Sequence, residues 1–368
     1  APRTRGEKAV AAIWSALLGR PRIGVDDDFF RLGGHSLLAL KVLAQIRATV
    51  GVELAPSTLF EHSTVAALAA LIPEDKIPAT IAPAPAITAM PVTGPVVTSF
   101  AQEQLWLLEQ LTPGTAAYNV VDVVPLPGPF HREALRRSLK ELVSRHATLR
   151  TTVTSGDGVP VQVVHPLFEP DVEEVDLAAL PAAQAAAEWD RLVAREVRRP
   201  FSLAQLPLLR VHAVHTSAED HRLLFVVHHI VSDEWSMELV QQELGALYEA
   251  FRRGEPSPLP PLPIQYTDFA AWQREHLTGE PRHAELDFWK RALSGSTPIL
   301  ALPTDRPRPP NASLRGATTA FTVPGATYAA LRELAQRERT SLFMVLHASF
   351  AALLGRITGQ DDLLVGTP

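Results

Sequence analysis

Apolar residues recur at two different periods along the 368-residue chain, and the change of period divides it. From residue 5 to 72 only the helical period occurs. Val10, Ile13, Trp14 and Leu17 fall on one face of a helix that Gly19 ends. Leu37, Leu40, Leu43 and Ile46 predict a second helix with those residues on its buried side. A short turn around "STLFEHST" and a last helix in "TVAALAALI" complete a small all-helical unit. Beyond residue 95 the pattern is mixed. "EALRRSLKELVSRH" reads as a helix with Leu135, Leu139, Leu142 and His146 on one face. "RLLFVVHHIV" is a continuous apolar run of strand length. The following "SMELVQQELGALYEAFRRG" is a helix with Val240, Leu244, Leu247 and Phe251 along one face and Gly254 as its stop. A helix in "YTDFAAWQREHL", a strand-like "ATTAFTVP", helices after Pro324 and from Ser341 to Gly355, and a strand-like "DDLLVGTP" finish the chain.

Two proline-rich stretches punctuate this pattern. Residues 72–97 hold six prolines, with no charge from Ile77 to Gln102, as expected of a semi-rigid extended linker. "PSPLPPLPIQ" marks a second break near 256–265. The expected organisation is therefore a helical domain over 1–75, a linker over 76–95, and two further lobes over 96–260 and 261–368. Both chain ends have the look of cuts in a longer polypeptide.

Composition narrows the function. At 46% hydrophobic the chain can bury more than one core. Lys and Arg number 34 against 40 acidic residues, without a long basic run, which argues against nucleic acid as a partner. No apolar stretch reaches membrane-spanning length and residues 1–30 lack a secretory pattern, so neither membrane nor export is expected. The absence of cysteine excludes disulfides, a thiol nucleophile and zinc–thiolate sites, and fits a cytoplasmic setting.

"RLGGHSLLAL", residues 31–40, sets Ser36 at the start of the second helix. A serine there ordinarily caps the helix. Gly33 and Gly34, however, let the backbone approach closely, and a helix N-terminus favours an attached phosphate. "DDDFFRLGGHSLLALKVLAQIR" resembles the peptidyl carrier domains of nonribosomal peptide synthetases, whose LGGxS motif is matched by Leu32-Gly33-Gly34-His35-Ser36. The resemblance implies that Ser36 carries covalent 4′-phosphopantetheine and, on its thiol, an aminoacyl or peptidyl thioester. It also implies three partners: a phosphopantetheinyl transferase, an upstream adenylation domain and a downstream acceptor carrier.

"VVHHIVSDEWS", residues 226–236, has the spacing HHxxxD. Strand alternation keeps His228 and His229 from facing one cleft, and Asp233 alone adds too few donors, so no metal site is expected. The pair could be a core pair bonded to backbone. Its position, after a buried strand and before a helix, is equally one where α/β proteins place chemistry. With "SFAQEQLWLLEQLTPGTAAYNV", "RHATLR", "RPFSLAQLPLLR", "YTDFAAW" and "GQDDLLVGTP" in this order, the chain after the linker resembles the condensation domains of the same synthetases. That implies a multidomain fold: a small four-helix carrier bundle followed by an α/β, two-lobed, chloramphenicol-acetyltransferase-like condensation domain, its second lobe incomplete here.

Carried over by motif, His229 faces a tunnel between the lobes and serves the reaction, as base or as positioner. His228 supports it from the opposite face, and Asp233 holds the loop through a buried charge pair. Arg145 and Arg150 belong to the scaffold. Glu234 replaces the glycine of the family's HHxxxDG. Either it takes ordinary backbone angles and points away, or its carboxylate lines the site and meets the acceptor; Trp235 and Ser236 are further tunnel candidates. Backbone N–H groups of 233–236 are expected to meet developing oxyanion charge. The implied reaction is aminolysis of a thioester, joining an L-configured donor residue to an acceptor amine. An epimerisation domain shares the fold, but its carriers resemble GGDS. A heterocyclisation domain would replace the histidines by acids, and a non-catalytic recruitment platform would carry an eroded motif.

Overall fold

The computed structural model describes residues 2–34, 36–52, 54–55, 58–73, 86–296, 299–307, 316, 319–338 and 340–366. They fall into two compact units. One runs from 87 to 291 and includes residue 316; the other contains the described residues before 87 together with those of 292–307 and 319–366.

Four helices build the N-terminal region: α1 (Arg5–Leu18), α2 (Ser36–Val50), α3 (Thr58–Glu61) and α4 (Val65–Ala69). Thr4 starts α1 with a reciprocal cap. Its hydroxyl accepts from the Glu7 amide at 3.0 Å, and the Glu7 carboxylate accepts from the Thr4 amide at 3.1 Å. Gly19 ends the helix with φ 63°, a conformation that costs a residue without Cβ little. The predicted stripe is buried at Val10, Ile13 and Trp14, and Leu17 packs at its edge. In α2 the buried residues are Ala39, Val42, Leu43, Ile46 and Val50; the side chains of Leu37 and Leu40 lie outside the described residues. Phe29, from the long loop, fills the centre with its ring 5.0 Å from that of Trp14.

The second unit opens with β1 (Val96–Val97), α5 (Phe100–Leu111), β2 (Asn119–Pro127) and α6 (Arg132–Arg145). It continues through β3 (Thr151–Gly156), β4 (Val159–Val164), β5 (Val172–Asp176), α7 (Ala182–Arg198), β6 (Leu209–His215) and β7 (Asp220–His228). It ends with α8 (Glu234–Arg252), α9 (Tyr266–His276) and α10 (Gly279–Ala292). The main sheet has the order β2-β7-β6-β5, antiparallel except for the parallel β5–β6 pair; β1-β4-β3 form a small second sheet. β7 is interior and buried from Leu223 to His228, which explains its unbroken apolar run. Phe225 and Val227 meet Leu139 and Leu142 of α6 and Met237 and Val240 of α8. The opposite face turns Arg222 onto Trp189 of α7. α9, beyond the second proline-rich break, packs along β1 within this same unit.

α11 (Gly325–Arg337) and α12 (Leu342–Thr358) pack on each other; Pro324 precedes the first and Ser341 caps the second. The strand expected in "ATTAFTVP" does not form over residues 319–324, nor the one in "DDLLVGTP" over 361–366. Phe321 is 86% exposed. Alternation makes a strand only where a neighbouring strand supplies hydrogen bonds and a core takes up one face. No helix among the described residues is by itself long and apolar enough to cross a membrane.

Candidate functional site

Two separate places carry the motifs. The first is the turn into α2. Leu32, Gly33 and Gly34 donate from their amides to the carbonyls of Asp28, Phe30 and Phe29, at 3.1, 3.2 and 2.9 Å. Gly33 adopts φ 102°, in the region that favours glycine. At Gly34 a Cβ would stand 2.4 Å from the Phe29 ring and 2.6 Å from its carbonyl oxygen. Both glycines are thus required by the turn that leads the chain to Ser36, the first residue of α2. His35 and the side chain of Ser36 lie outside the described residues.

The second place is the end of β7. The strand stops at His228, earlier than its apolar run, and alternation sends the two histidines different ways. His228 is 1% exposed, near Tyr118 and Phe201. Its Nδ1 accepts from the Ile230 amide at 3.1 Å. Burial, with a smaller contribution from His229, lowers its pKa to about 4. His229 begins the loop, its amide held by the Tyr118 carbonyl at 2.8 Å, and its side chain lines a cleft of about 330 Å³. Its Nδ1 lies 2.8 Å from the Ser232 carbonyl oxygen. A carbonyl only accepts, so Nδ1 carries the proton, and in the neutral ring Nε2 keeps its lone pair, without a hydrogen-bond partner among the described residues.

Asp233 is exposed and caps α8. Its carboxylate accepts from the Ser236 amide at 2.8 Å and from the Ser236 hydroxyl at 2.5 Å. The buried charge pair expected of Asp233 does not form among the described residues, because the carboxylate turns to the orphan amides of its own helix. Of the expected tunnel residues, Ser236 lines the cleft; Glu234 and Trp235, both exposed, are not among its walls. Glu234 takes ordinary helical angles as the first residue of α8, so the motif glycine has no conformational role here. With the Ser236 amide taken by Asp233, the amides of Glu234 and Trp235 remain without intrahelical partners.

Sequence reasoning missed the opposite wall, where His146, Thr148, Gln265 and Tyr266 stand. His146 and Thr148 stand in "RHATLR" and Tyr266 opens "YTDF", while Gln265 lies just outside both motifs. Arg145 donates from Nε to Glu243 at 2.9 Å and from a terminal nitrogen to the Pro260 carbonyl; Arg150 donates to the His165 carbonyl at 2.7 Å. Gln265 ties its segment to this wall, accepting from the Ala147 amide at 2.9 Å and donating to the Arg145 carbonyl at 3.0 Å.

Comparison with known proteins agrees with both places. Residues 92–368 match the family model for the condensation domain and residues 8–72 that for the phosphopantetheine attachment site. The chain belongs to the condensation-domain family and bears, ahead of that domain, the carrier of nonribosomal peptide synthetases. One of the linear gramicidin synthase proteins of Brevibacillus parabrevis is 43% identical over all of this chain, which spans 5% of that protein. Phosphinothricin tripeptide synthetase PhsB of Streptomyces viridochromogenes is 42% identical over 98% of the chain, which spans 30% of it. Among solved structures, the complex of the X-domain and OxyB from teicoplanin biosynthesis matches with TM-score 0.64 and 26% identity. That match covers 75% of this chain and 60% of that one.

Phosphopantetheine is the group this carrier family attaches. The residues fit it: two glycines whose Cβ positions are strained or filled bring the backbone to a serine at the N-terminus of a 15-residue helix, where free amides favour phosphate.

Proposed function

We propose that this chain holds an acyl group on Ser36 and forms an amide bond in the cleft around His229, by aminolysis with an acceptor amine. Attached to Ser36, phosphopantetheine supplies a terminal thiol that presents the acyl group as an activated thioester. The observation that carries the reading is the fixed tautomer of His229, with Nδ1–H on the Ser232 carbonyl and a bare Nε2 in a cleft.

An α-amine has a pKa of about 7.7–8.0, so a sizeable fraction is already neutral near pH 7 and positioning can supply much of the rate. Nε2 of His229 accepts the proton the amine sheds as its nitrogen attacks. His228 stays neutral behind the strand, Asp233 holds the first turn of α8 through Ser236, and Arg145 and Arg150 serve as scaffold. The donor is an L-configured residue. A phosphopantetheinyl transferase, an upstream adenylation domain and a downstream acceptor carrier are the partners.

His229→Ala should lower amide formation by about 10²–10⁴-fold in an assay of loaded protein with an aminoacyl acceptor, the range of general-base help. Turnover near the unaltered rate would reduce His229 to scaffold. Ser36→Ala should abolish the mass gain on incubation with a phosphopantetheinyl transferase. The likeness to the X-domain seen in complex with OxyB favours, as a second reading, a platform that docks another protein. The intact histidine geometry supports the catalytic reading, and absence of amide product from loaded protein would favour the platform.

A further inference from the structure

The cleft contains a second imidazole that the mechanism above leaves unused. His146 follows the last residue of α6, and its Nε2 lies 2.6 Å from Glu243. Glu243, 6% exposed on α8, accepts from Arg145 Nε with its other oxygen at 2.9 Å. A carboxylate held by a guanidinium only accepts, so Nε2 of the neutral His146 ring carries the proton and Nδ1 keeps its lone pair. Nδ1 has no hydrogen-bond partner among the described residues, and the side chain lines the same cleft as His229.

Three other polar side chains of the cleft are already engaged. The Gln265 amide bonds backbone at both ends. The Ser236 hydroxyl donates to Asp233, and Tyr266 shares a 2.9 Å hydrogen bond with Ser99. The rings of His229 and His146, each with one bare nitrogen, therefore line one cleft. A primary amine needs such a pair: its lone pair goes to the carbonyl carbon, and its two N–H groups each require an acceptor as the nitrogen becomes cationic.

Resting on the amide-forming reading, we propose that the attacking amine is held between Nε2 of His229 and Nδ1 of His146, with Glu243 acting through His146 by fixing which of its nitrogens is bare. One N–H proton passes to His229, and the other N–H remains donated to His146. The new C–N bond replaces the C–S bond of the thioester, and the released thiolate takes up the proton that His229 accepted, so the ring returns to its starting state. A secondary amine, with one N–H, has no use for the second acceptor.

The test uses the full chain, loaded on Ser36, with alanyl-pantetheine and N-methylalanyl-pantetheine as acceptors. His146→Leu should lower kcat/KM for the primary amine about tenfold to a hundredfold while changing the secondary amine less than about threefold. His146→Asn, which returns an acceptor near Nδ1, should restore most of the loss. An equal loss for both acceptors, or none for either, overturns the proposal. No amide from the unaltered protein with either acceptor would instead sink the amide-forming reading. A second measurement does not depend on a folded variant: ¹⁵N chemical shifts of the unaltered protein should report Nδ1 of His146 unprotonated. A protonated Nδ1 in neutral His146 overturns the assignment.

Discussion

His228 and His229 are adjacent in the chain, yet they do opposite things. The 1% exposed ring of His228 loses the hydration an imidazolium needs, and His229 beside it adds a smaller repulsion, so it titrates at about 4 instead of 6.5. The unfolded chain takes up this proton as pH falls through 6.5, whereas the folded chain does so only near 4. Stability from this group is thus complete above 6.5 and is lost on acidification between 6.5 and 4. The full difference is about 3 kcal/mol, at 1.36 kcal/mol per pKa unit. His228→Asn, which keeps an acceptor for the Ile230 amide, should flatten the pH dependence of denaturant unfolding in that window. An unchanged slope would assign the loss to other groups. His229 contributes in the reverse manner, by staying reachable while its loop fixes its tautomer.

At the scale of elements, the junction of β7 and α8 decides how the site is made. A strand that ends in mid-run releases His229 into a loop, and the helix after it begins on Asp233. Capping and ion pairing make different demands on that aspartate. A cap needs only an oxygen acceptor, which asparagine also supplies; an ion pair needs the charge. Asp233→Ala should destabilise the fold by about 1 kcal/mol, within the 0.5–2 kcal/mol range for lost caps, and lower amide formation by loosening the Ser232 carbonyl that orients His229. Asp233→Asn should keep most of both. Thermal unfolding and turnover of the two variants decide the matter, and equal damage from both would restore the ion-pair account. The segments that failed to become strands, 319–324 and 361–366, mark the same lesson: an alternating pattern offers a face, and only a neighbouring strand turns it into a sheet.

At the scale of the whole molecule, the described residues form two hydrophobic cores, one around Trp14, Phe29, Ile46 and Leu59, the other around Leu139, Leu224, Phe225 and Leu247. Neither shares a buried residue with the other, so damage should stay local. Trp14→Ala should cost the helical region about 3–5 kcal/mol and abolish phosphopantetheine uptake while the sheet unit keeps its unfolding transition; Phe225→Ala should do the reverse. Calorimetry with a mass measurement reads both, and loss of both transitions in either variant would contradict separate cores. Helices α1, α2, α4, α6, α8, α9, α11 and α12, the stop at Gly19, the buried strand and the places of the two motifs were legible in the chain itself, whereas α5, α7 and α10 were not. Period, stop residues and motif spacing are local properties. Legible too was that His228 and His229 part company, because alternation along a strand is local geometry. Where the strand stops, that Asp233 finds no charge partner and turns to Ser236, and that Glu234 and Trp235 stay off the cleft were not legible; that His146 shares it with His229 depends on contacts between residues roughly a hundred positions apart. Such pairings rest on which surfaces meet on folding, and no pattern along the chain records them; only the tertiary structure decided them.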